Sequence, residues 1–403
     1  MDVQISRKRA GVQYIAACMT MTNVAGEDID WSGLSSVRIR IQLGAADELE
    51  LELPAQDQED NWRPDMPIWQ VGGTLIIALG YDNVVQEVQS FEIVSTTNTY
   101  GGSGDLPSMK IRAVSGLARA ARNRNPRTFA DLDDKAILDK ICEEYGWTHN
   151  IAIDLSKAAY TSMLSKKGRV KEAGKSDLEL LRVIASEAEL GGPRLSSSGE
   201  LIMPEPSCDD PILFVRGTTF NMEDSFQILD FSPSREGGAD TLRLSIVGWD
   251  PDSKQFIEKV FEADEFGGDP EVVYEGPLSK APIANESSTR GLTLQIISSR
   301  GWSKDEKRDV LASGRFLNES DATSLAKRWF DLREKLSRWA TISVEGHPGI
   351  EPYSAIQVDG NMAIMDTGLW LPTVVEHDVG DSGWTTRITA IRVVTDSIVS
   401  AVE

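Results

Sequence analysis

Asn318-Glu-Ser-Asp-Ala-Thr-Ser-Leu-Ala-Lys-Arg-Trp-Phe-Asp-Leu-Arg-Glu-Lys-Leu-Ser-Arg-Trp339 leads directly into a series of short strands that ends near Val394, and this change of period decides the fold. Ala322, Leu325, Trp329, Leu332 and Leu336 are spaced three or four apart, so they form one apolar stripe of a helix whose other faces carry Lys327, Arg328, Asp331 and Glu334. From Ala340 the period becomes two. Ala340, Ile342 and Val344 alternate with Thr341, Ser343 and Glu345, and Gly349-Ile-Glu-Pro352 turns the chain into Ala355-Ile-Gln-Val358. Strands are then expected from Leu371 to Val379 and from Trp384 to Val394, joined by a hairpin turn at Gly380-Asp-Ser-Gly383.

Working outward, the N-terminal hundred residues also read as strands. Glu48-Leu-Glu-Leu-Glu-Leu53 alternates strictly, with Leu49, Leu51 and Leu53 on one face and Glu48, Glu50 and Glu52 on the other. That is the pattern of a half-buried strand with a solvated outer face. The sharper alternative is a strand whose acidic face lines a channel or meets a neighbouring subunit. Val37 to Ile41, Gly72 to Gly80, Phe91 to Val94 and Met109 to Ala113 supply further strands, and together they predict a small barrel or sandwich.

The middle of the chain is helical. Asp131 to Tyr145 carries an apolar side of Ile137, Leu138, Ile141 and Tyr145, with aspartates at its start and Gly146 to cap its end. Ser176-Asp-Leu-Glu179 is a capping box that opens a second helix, whose stripe is Leu178, Leu181, Ile184, Ala185 and Ala188, and Gly191-Gly-Pro193 stops it. Lys166 to Lys175 reads as a polar loop. Arg119, Arg122, Arg124 and Arg127 form a basic patch without interleaved aromatics, which fits a solvated face or an acidic protein partner better than nucleic acid. Residues 211–262 return to strands, and 264–290, rich in Gly, Pro, Ser and charge, reads as an extended connection.

Composition bounds the function. The chain's 403 residues exceed the roughly 250 to 300 at which one core stops growing, so several domains are expected. A net charge of −22 opposes phosphate backbones, so no stable nucleic-acid binding is expected. No run approaches the roughly 18 apolar residues of a membrane span, and the N-terminus lacks an apolar signal core; no membrane anchor is expected, and the protein is expected to be made in the cytoplasm. Cys18, Cys142 and Cys208, far apart and odd in number, read as buried or incidental thiols rather than a disulfide frame or zinc cluster, and His149, His347 and His377 have no partner at ligand spacing, so no metal is expected. Gly101-Gly-Ser-Gly104 lacks the following Lys-Ser/Thr of a phosphate cradle, and no nucleophile elbow occurs. Neither a cofactor nor catalysis is expected.

Several segments, taken in order, resemble the baseplate hub proteins of contractile injection machines: the late control D proteins of contractile-tailed phages and the hub part of type VI secretion spikes. The segments are Gly73-Thr-Leu-Ile-Ile-Ala-Leu-Gly-Tyr81 with Ser90-Phe-Glu-Ile93, Ile137 to Gly146, Ser176 to Gly191, Thr241 to Pro251, Glu345-Gly-His-Pro-Gly-Ile-Glu-Pro352, Val358-Asp-Gly360, Val374-Val-Glu-His-Asp-Val379 and Gly383-Trp-Thr-Thr386. Ser90 and Leu180 stand where that family usually has a glycine and an aromatic.

The resemblance implies a mainly β, α+β chain. It would hold two tail-tube-like β-barrel domains with inserted α/β rim segments, three chains making a pseudo-hexameric ring. The expected division is 1–113 for the first barrel, 114–210 for an α+β connecting domain, 211–318 for the start of the second barrel with an extended insertion, and 319–403 for the long helix and closing strands. Implied partners are two further copies (a homotrimer), the tail tube or tube-initiator protein, the central spike, the tape measure protein and the baseplate wedge proteins. The implied place is the tail baseplate of a virion, with assembly in the host cytoplasm. Glu48, Glu50 and Glu52 become candidates for the channel or an interface. Trp329, Phe330 and Trp339 become candidates for subunit packing, with packing inside the subunit equally open. A tail-associated cell-wall hydrolase, and behind it a carbohydrate-binding adhesin, stand as the alternatives.

Overall fold

Alternating apolar residues carry the N-terminal third into one sheet. β1 (Ile5–Arg9), β2 (Val12–Thr22), β3 (Ser36–Gln42), β4 (Glu48–Pro54), β5 (Thr74–Tyr81), β6 (Val84–Thr99) and β7 (Ser108–Val114) are antiparallel in the order β1-β2-β5-β6-β7-β4-β3. The computed structural model describes residues 5–9, 12–23, 25–81, 84–101, 106–153, 168–171, 173–188, 190–205, 207–216, 225–235, 243–250, 255–262, 271–277, 308–312, 338–363, 366–380 and 383–393. Val37 and Ile39 of β3, Leu49 and Leu51 of β4, Ile111 of β7, Phe91 of β6 and Ile77 of β5 all belong to one buried cluster. Strands that far apart in the order share a core only if the sheet curls around it. The 16-residue β6 makes the bend, pairing with β5 through its first half and with β7 through its second, with a register shift between Ile93 and Ser95.

The connecting unit has its own core. α1 (Leu117–Arg122), β8 (Arg127–Ala130), α2 (Asp134–Tyr145), β9 (Thr148–His149), β10 (Gly168–Lys171), α3 (Asp177–Glu187), β11 (Arg194–Leu195) and β12 (Glu200–Ile202) follow in sequence. The two expected helical stripes meet, Ile137, Leu138 and Ile141 of α2 against Leu178, Leu181 and Ile184 of α3. Both caps form as read. The Asp133 carboxylate accepts from the Ala136 amide at 2.8 Å and Gly146 closes α2 at a φ of 70°. Ser176 Oγ accepts from the Glu179 amide at 3.1 Å while Glu179 Oε2 accepts from the Ser176 amide at 2.6 Å.

The polar loop expected at 166–175 is corrected in part, because β10 pairs antiparallel with β8. That pairing carries Lys171 inward to Asp177, Nζ to Oδ1 at 2.7 Å, with both side chains at most 1% exposed. Arg127, Tyr145 Oη at 2.7 Å and Asn123 Nδ2 at 2.8 Å complete the shell of the Asp177 carboxylate. Burial raises its pKa, but the bonds from Arg127, Lys171 and Tyr145 outweigh that and hold the carboxyl below its usual range.

The C-terminal part closes on itself. β13 (Ser207–Arg216) and β14 (Ser225–Arg235) are followed by β15 (Arg243–Asp250), β16 (Gln255–Glu262), β17 (Glu271–Pro277) and β18 (Arg308–Ala312), then by β19 (Arg338–Glu345), β20 (Ser354–Gly360), β21 (Gly368–Gly380) and β22 (Gly383–Arg392). The order β21-β20-β13-β14-β19-β22 returns to β21, a closed six-stranded barrel. Phe214, Ile342, Val344, Ile356, Val358, Trp370 and Ile388 fill it. β15 to β18 form a separate four-stranded sheet in the order β17-β16-β15-β18, so the region expected as an extended connection contains β17. The long helix read from Asn318 falls outside the described residues.

β21 ties the two barrels together. Along one edge it pairs first with β20, Gly368 to Trp370 opposite Val358 to Ile356, and then with β3, Val374 to Gly380 opposite Gln42 to Ser36. Pro372 stands at the handover, where a residue without an amide hydrogen costs no ladder bond, and its carbonyl accepts from Tyr353 at 2.8 Å. Beyond the handover, Val379 and Trp384 of the β21–β22 hairpin belong to the first barrel's core. Trp384 explains a glycine of the Glu345-Gly-His-Pro motif. A Cβ on Gly346 would lie 2.0 Å from the indole Cδ2, and the Gly346 amide bonds the Trp384 carbonyl at 3.0 Å.

Two stability outcomes follow from these contacts. Gly346→Ala forces the indole off its site and costs about 1–3 kcal/mol in urea unfolding. Asp177→Leu, which strands buried Lys171 without its counter-charge, costs about 3–5 kcal/mol; equal midpoints for either variant and the wild type contradict the packing described.

Candidate functional site

The alternation that sends Leu49, Leu51 and Leu53 inward sends Glu48, Glu50 and Glu52 to the outer face of the sheet, and the same rule applies to each strand beside β4. β3 presents Arg38 and Arg40, β7 presents Lys110 and Arg112, and β21 presents Glu376 and Asp378. Arg112 meets Glu48 at 3.2 Å, Lys110 meets Glu52 at 3.2 Å, Arg38 meets Asp378 at 3.2 Å and Arg40 meets Glu376 at 3.4 Å. Glu50 lies in register between Arg38 and Arg112. The stripe that reads as acidic on β4 is one row of a mixed-charge ladder, alternating in sign from β21 through β3 and β4 to β7. Each pair is half-exposed and adds little to stability. What the ladder sets is the character of a surface that runs without a break from one barrel to the other.

Of the other candidates, Trp339 follows Arg338 at the start of β19, opposite Ile391 of β22 and Ser234 of β14, and is 37% exposed. Trp329 and Phe330 lie outside the described residues. The basic patch is partly consumed within the chain, since Arg119 pairs with Glu92 at 2.8 Å and Arg127 with Glu144 and Asp177.

The three units meet at a buried carboxylate that sequence reasoning missed. Asp47, 0% exposed between β3 and β4, accepts from the Gln42 amide at 3.0 Å and from Gln89 Nε2 at 2.5 Å. Gln89 Nε2 also donates to the Leu195 carbonyl at 2.6 Å. Arg194 lies close enough to lower the Asp47 pKa, and its own NH1 reaches Glu351 of the second barrel at 3.2 Å. Burial prevails over Arg194 and the hydrogen bonds and pushes the Asp47 carboxyl up to about 6. Next to it, Gly44 donates to the Pro193 carbonyl at 3.1 Å and its own carbonyl accepts from Arg182. A Cβ on Gly192 would stand 2.6 Å from the Gly44 nitrogen, so the Gly191-Gly-Pro193 helix stop is also where two backbones touch.

Two further titratable groups are shifted by burial. His377 is fully buried, its Nδ1 is 3.0 Å from Thr386 Oγ1, its ring meets Trp384 edge-on, and burial, reinforced by His347, takes its pKa down to about 3. Burial pushes the Cys142 thiol up to about 12, with Asp139 adding to it. Among the described residues, no group of three or more His, Cys, Asp or Glu could hold a metal ion, and no helix is long and apolar enough to cross a membrane.

The raised Asp47 pKa fixes a pH dependence. Its contribution to stability is full below the ordinary carboxylate pKa near 3.8 and is lost as pH rises through about 6. Between pH 4 and pH 7, Asp47→Asn should gain on the wild type by about 3 kcal/mol in urea unfolding; a constant difference across that range would show that Asp47 does not titrate there.

No protein-family model matches the chain, and no curated protein matches its sequence. Solved structures do match. A 43 kDa tail protein of prophage MuSo2 from Shewanella oneidensis is 12% identical with a TM-score of 0.60, covering 93% of this chain and 98% of that one. A tail protein from Neisseria meningitidis MC58 is 11% identical with a TM-score of 0.61, covering 93% and 96%. The Escherichia coli c3393 protein, described as a type VI secretion component with structural similarity to T4 tail proteins gp27 and gp5, is 9% identical at a TM-score of 0.49. Over nearly its whole length, this chain shares the fold of the Shewanella and Neisseria tail proteins.

Proposed function

We propose that the protein is a structural baseplate hub of a contractile tail or injection machine. Three copies, each contributing two barrels, would form a pseudo-sixfold ring that adapts a hexameric tail tube to a trimeric spike and leaves an axial channel for tape measure and DNA. The observation that carries this reading is β21, which joins both barrels edge to edge in one sheet, in a chain whose fold matches whole prophage tail proteins. An adapter needs two similar docking modules held at a fixed angle, and a shared strand supplies that.

The charged ladder suits the channel wall. Paired charges keep the surface hydrated while leaving little net charge on the face, so neither a polyanion nor an apolar chain gains by stopping on it. Glu48, Glu50 and Glu52 then act with Arg38, Arg40, Lys110 and Arg112 and not as an acidic strip. Trp339 supplies apolar surface for packing between subunits, and Trp329 and Phe330 are the further candidates that the sequence offers for it. Tube, spike, tape measure and wedge proteins are the partners this role requires, in the virion tail.

Light scattering of the purified protein should give three times the chain mass, and negative-stain images a ring with a central hole and a sixfold-like outline. Trp339→Ala should shift the mass toward the monomer. A monomer at all concentrations, with or without its spike, that releases fragments from purified peptidoglycan would replace the hub by the cell-wall hydrolase.

A further inference from the structure

Arg194 stands between the two barrels. It opens β11 of the connecting unit, is 5% exposed, and has a carboxylate on either side. Toward the first barrel is Asp47, close enough to feel the guanidinium. Toward the second is Glu351, which accepts from NH1 at 3.2 Å and is its only ion pair among the described residues. Nε is buried and bonds to nothing within the chain, so the guanidinium keeps one internal donor to spare.

The other groups that touch Asp47 are uncharged. Gln42 supplies its amide, Gln89 its Nε2, and Ser115 its Oγ, which accepts from the Asp47 amide at 2.9 Å. Arg182, the other cation at the junction, donates to the Gly44 carbonyl. Glu205 and Asp210 lie with Glu351 at the outer end of Arg194, where a cavity of about 390 Å³ gives the Glu351 side chain room to swing out. Which carboxylate holds Arg194 therefore depends on whether Asp47 carries a charge.

We propose that Arg194 is a proton-governed tie: it holds Glu351, and with it the second barrel, while Asp47 is protonated, and turns inward to Asp47 once that carboxyl ionises. A fully buried carboxylate attracts a guanidinium more strongly than one half in water, because solvent does not screen it. Glu351, with a side chain 49% exposed, offers the weaker bond. The inward turn also gives the spare Nε–H an acceptor, and a buried donor without one is costly. Because burial raises the Asp47 carboxyl to about 6, acid fastens the connecting unit to the second barrel and neutral pH releases it. The tie acts within one chain, whether or not three chains form a ring.

Nitrogen-15 NMR of the full chain can follow the Arg194 Nε–H signal, assigned by its absence in Arg194→Lys, from about pH 5 to about pH 7.5. In the wild type the signal should move with the Asp47 titration, and in Asp47→Asn it should keep its acid position throughout. Glu351→Gln should displace it at the acid end and leave it unchanged at the neutral end. Amide exchange gives a second reading that needs no arginine signal. The Tyr353 amide, held by the Pro372 carbonyl at 2.8 Å, should lose about threefold in protection factor over the same range, and nothing in Asp47→Asn. An arginine signal that ignores pH overturns the proposal, as does one that moves equally in Asp47→Asn, a Glu351→Gln effect equal at both ends, or constant protection of Tyr353.

Discussion

A β-strand has two edges, and β21 uses one of them twice. Its 13 residues are long enough to complete the second barrel against β20 and then continue past it to receive β3 of the first. Because β22 follows along the opposite edge for the whole length, the projecting half is a hairpin and not a lone strand, and it carries Val379 and Trp384 into the neighbouring core. A joint made this way is both hydrogen-bonded and apolar, so the barrels cannot swing about it without breaking a ladder and exposing an indole. Gly346 and Pro372 are the local concessions, one giving room to the ring and the other ending one pairing so that the next can begin.

Charge is distributed according to the same geometry. Where side chains face outward, acids and bases alternate across four strands and remain hydrated. Where the connecting unit closes over its core, the buried Asp177 carboxylate is surrounded by Lys171, Arg127, Tyr145 and Asn123. The Asp47 junction lies between these cases. It has hydrogen bonds enough to be ordered but too little opposing charge to offset burial, so its carboxyl titrates near neutrality whereas Asp177 stays ionised. The place where all three units touch therefore gains or loses a proton in a range where Asp177 stays ionised.

Much of this was legible because it depends on neighbours in sequence. The leucine–glutamate alternation of β4, the capping box at Ser176, the cap at Gly146 and the Gly380 to Gly383 turn are local rules, and each appears in the structure. What was not legible depends on neighbours in space. Nothing in Glu48-Leu-Glu-Leu-Glu-Leu53 says that Arg38 and Arg112 flank it, so an interleaved surface read as acidic. Lys171 sits in a lysine-rich stretch that reads as solvated, and only its pairing with β8 turns it toward Asp177. Asp47 follows two alanines with no motif around it, and only Gln89 and Leu195, distant in sequence, enclose it. The separation of β15 to β18 from the barrel was hidden for a similar reason, since a strand pattern carries no label for the sheet it joins.

The two barrels are finished in different ways. Among the described residues the second is closed by its own hydrogen bonds, whereas the first takes β21 of the second as the strand beyond β3. An unpaired sheet edge is a standing invitation to another strand, and soluble proteins cover it, charge it or pair it. At β3 the chain pairs it internally, so the strand that completes one barrel also protects the edge of the other.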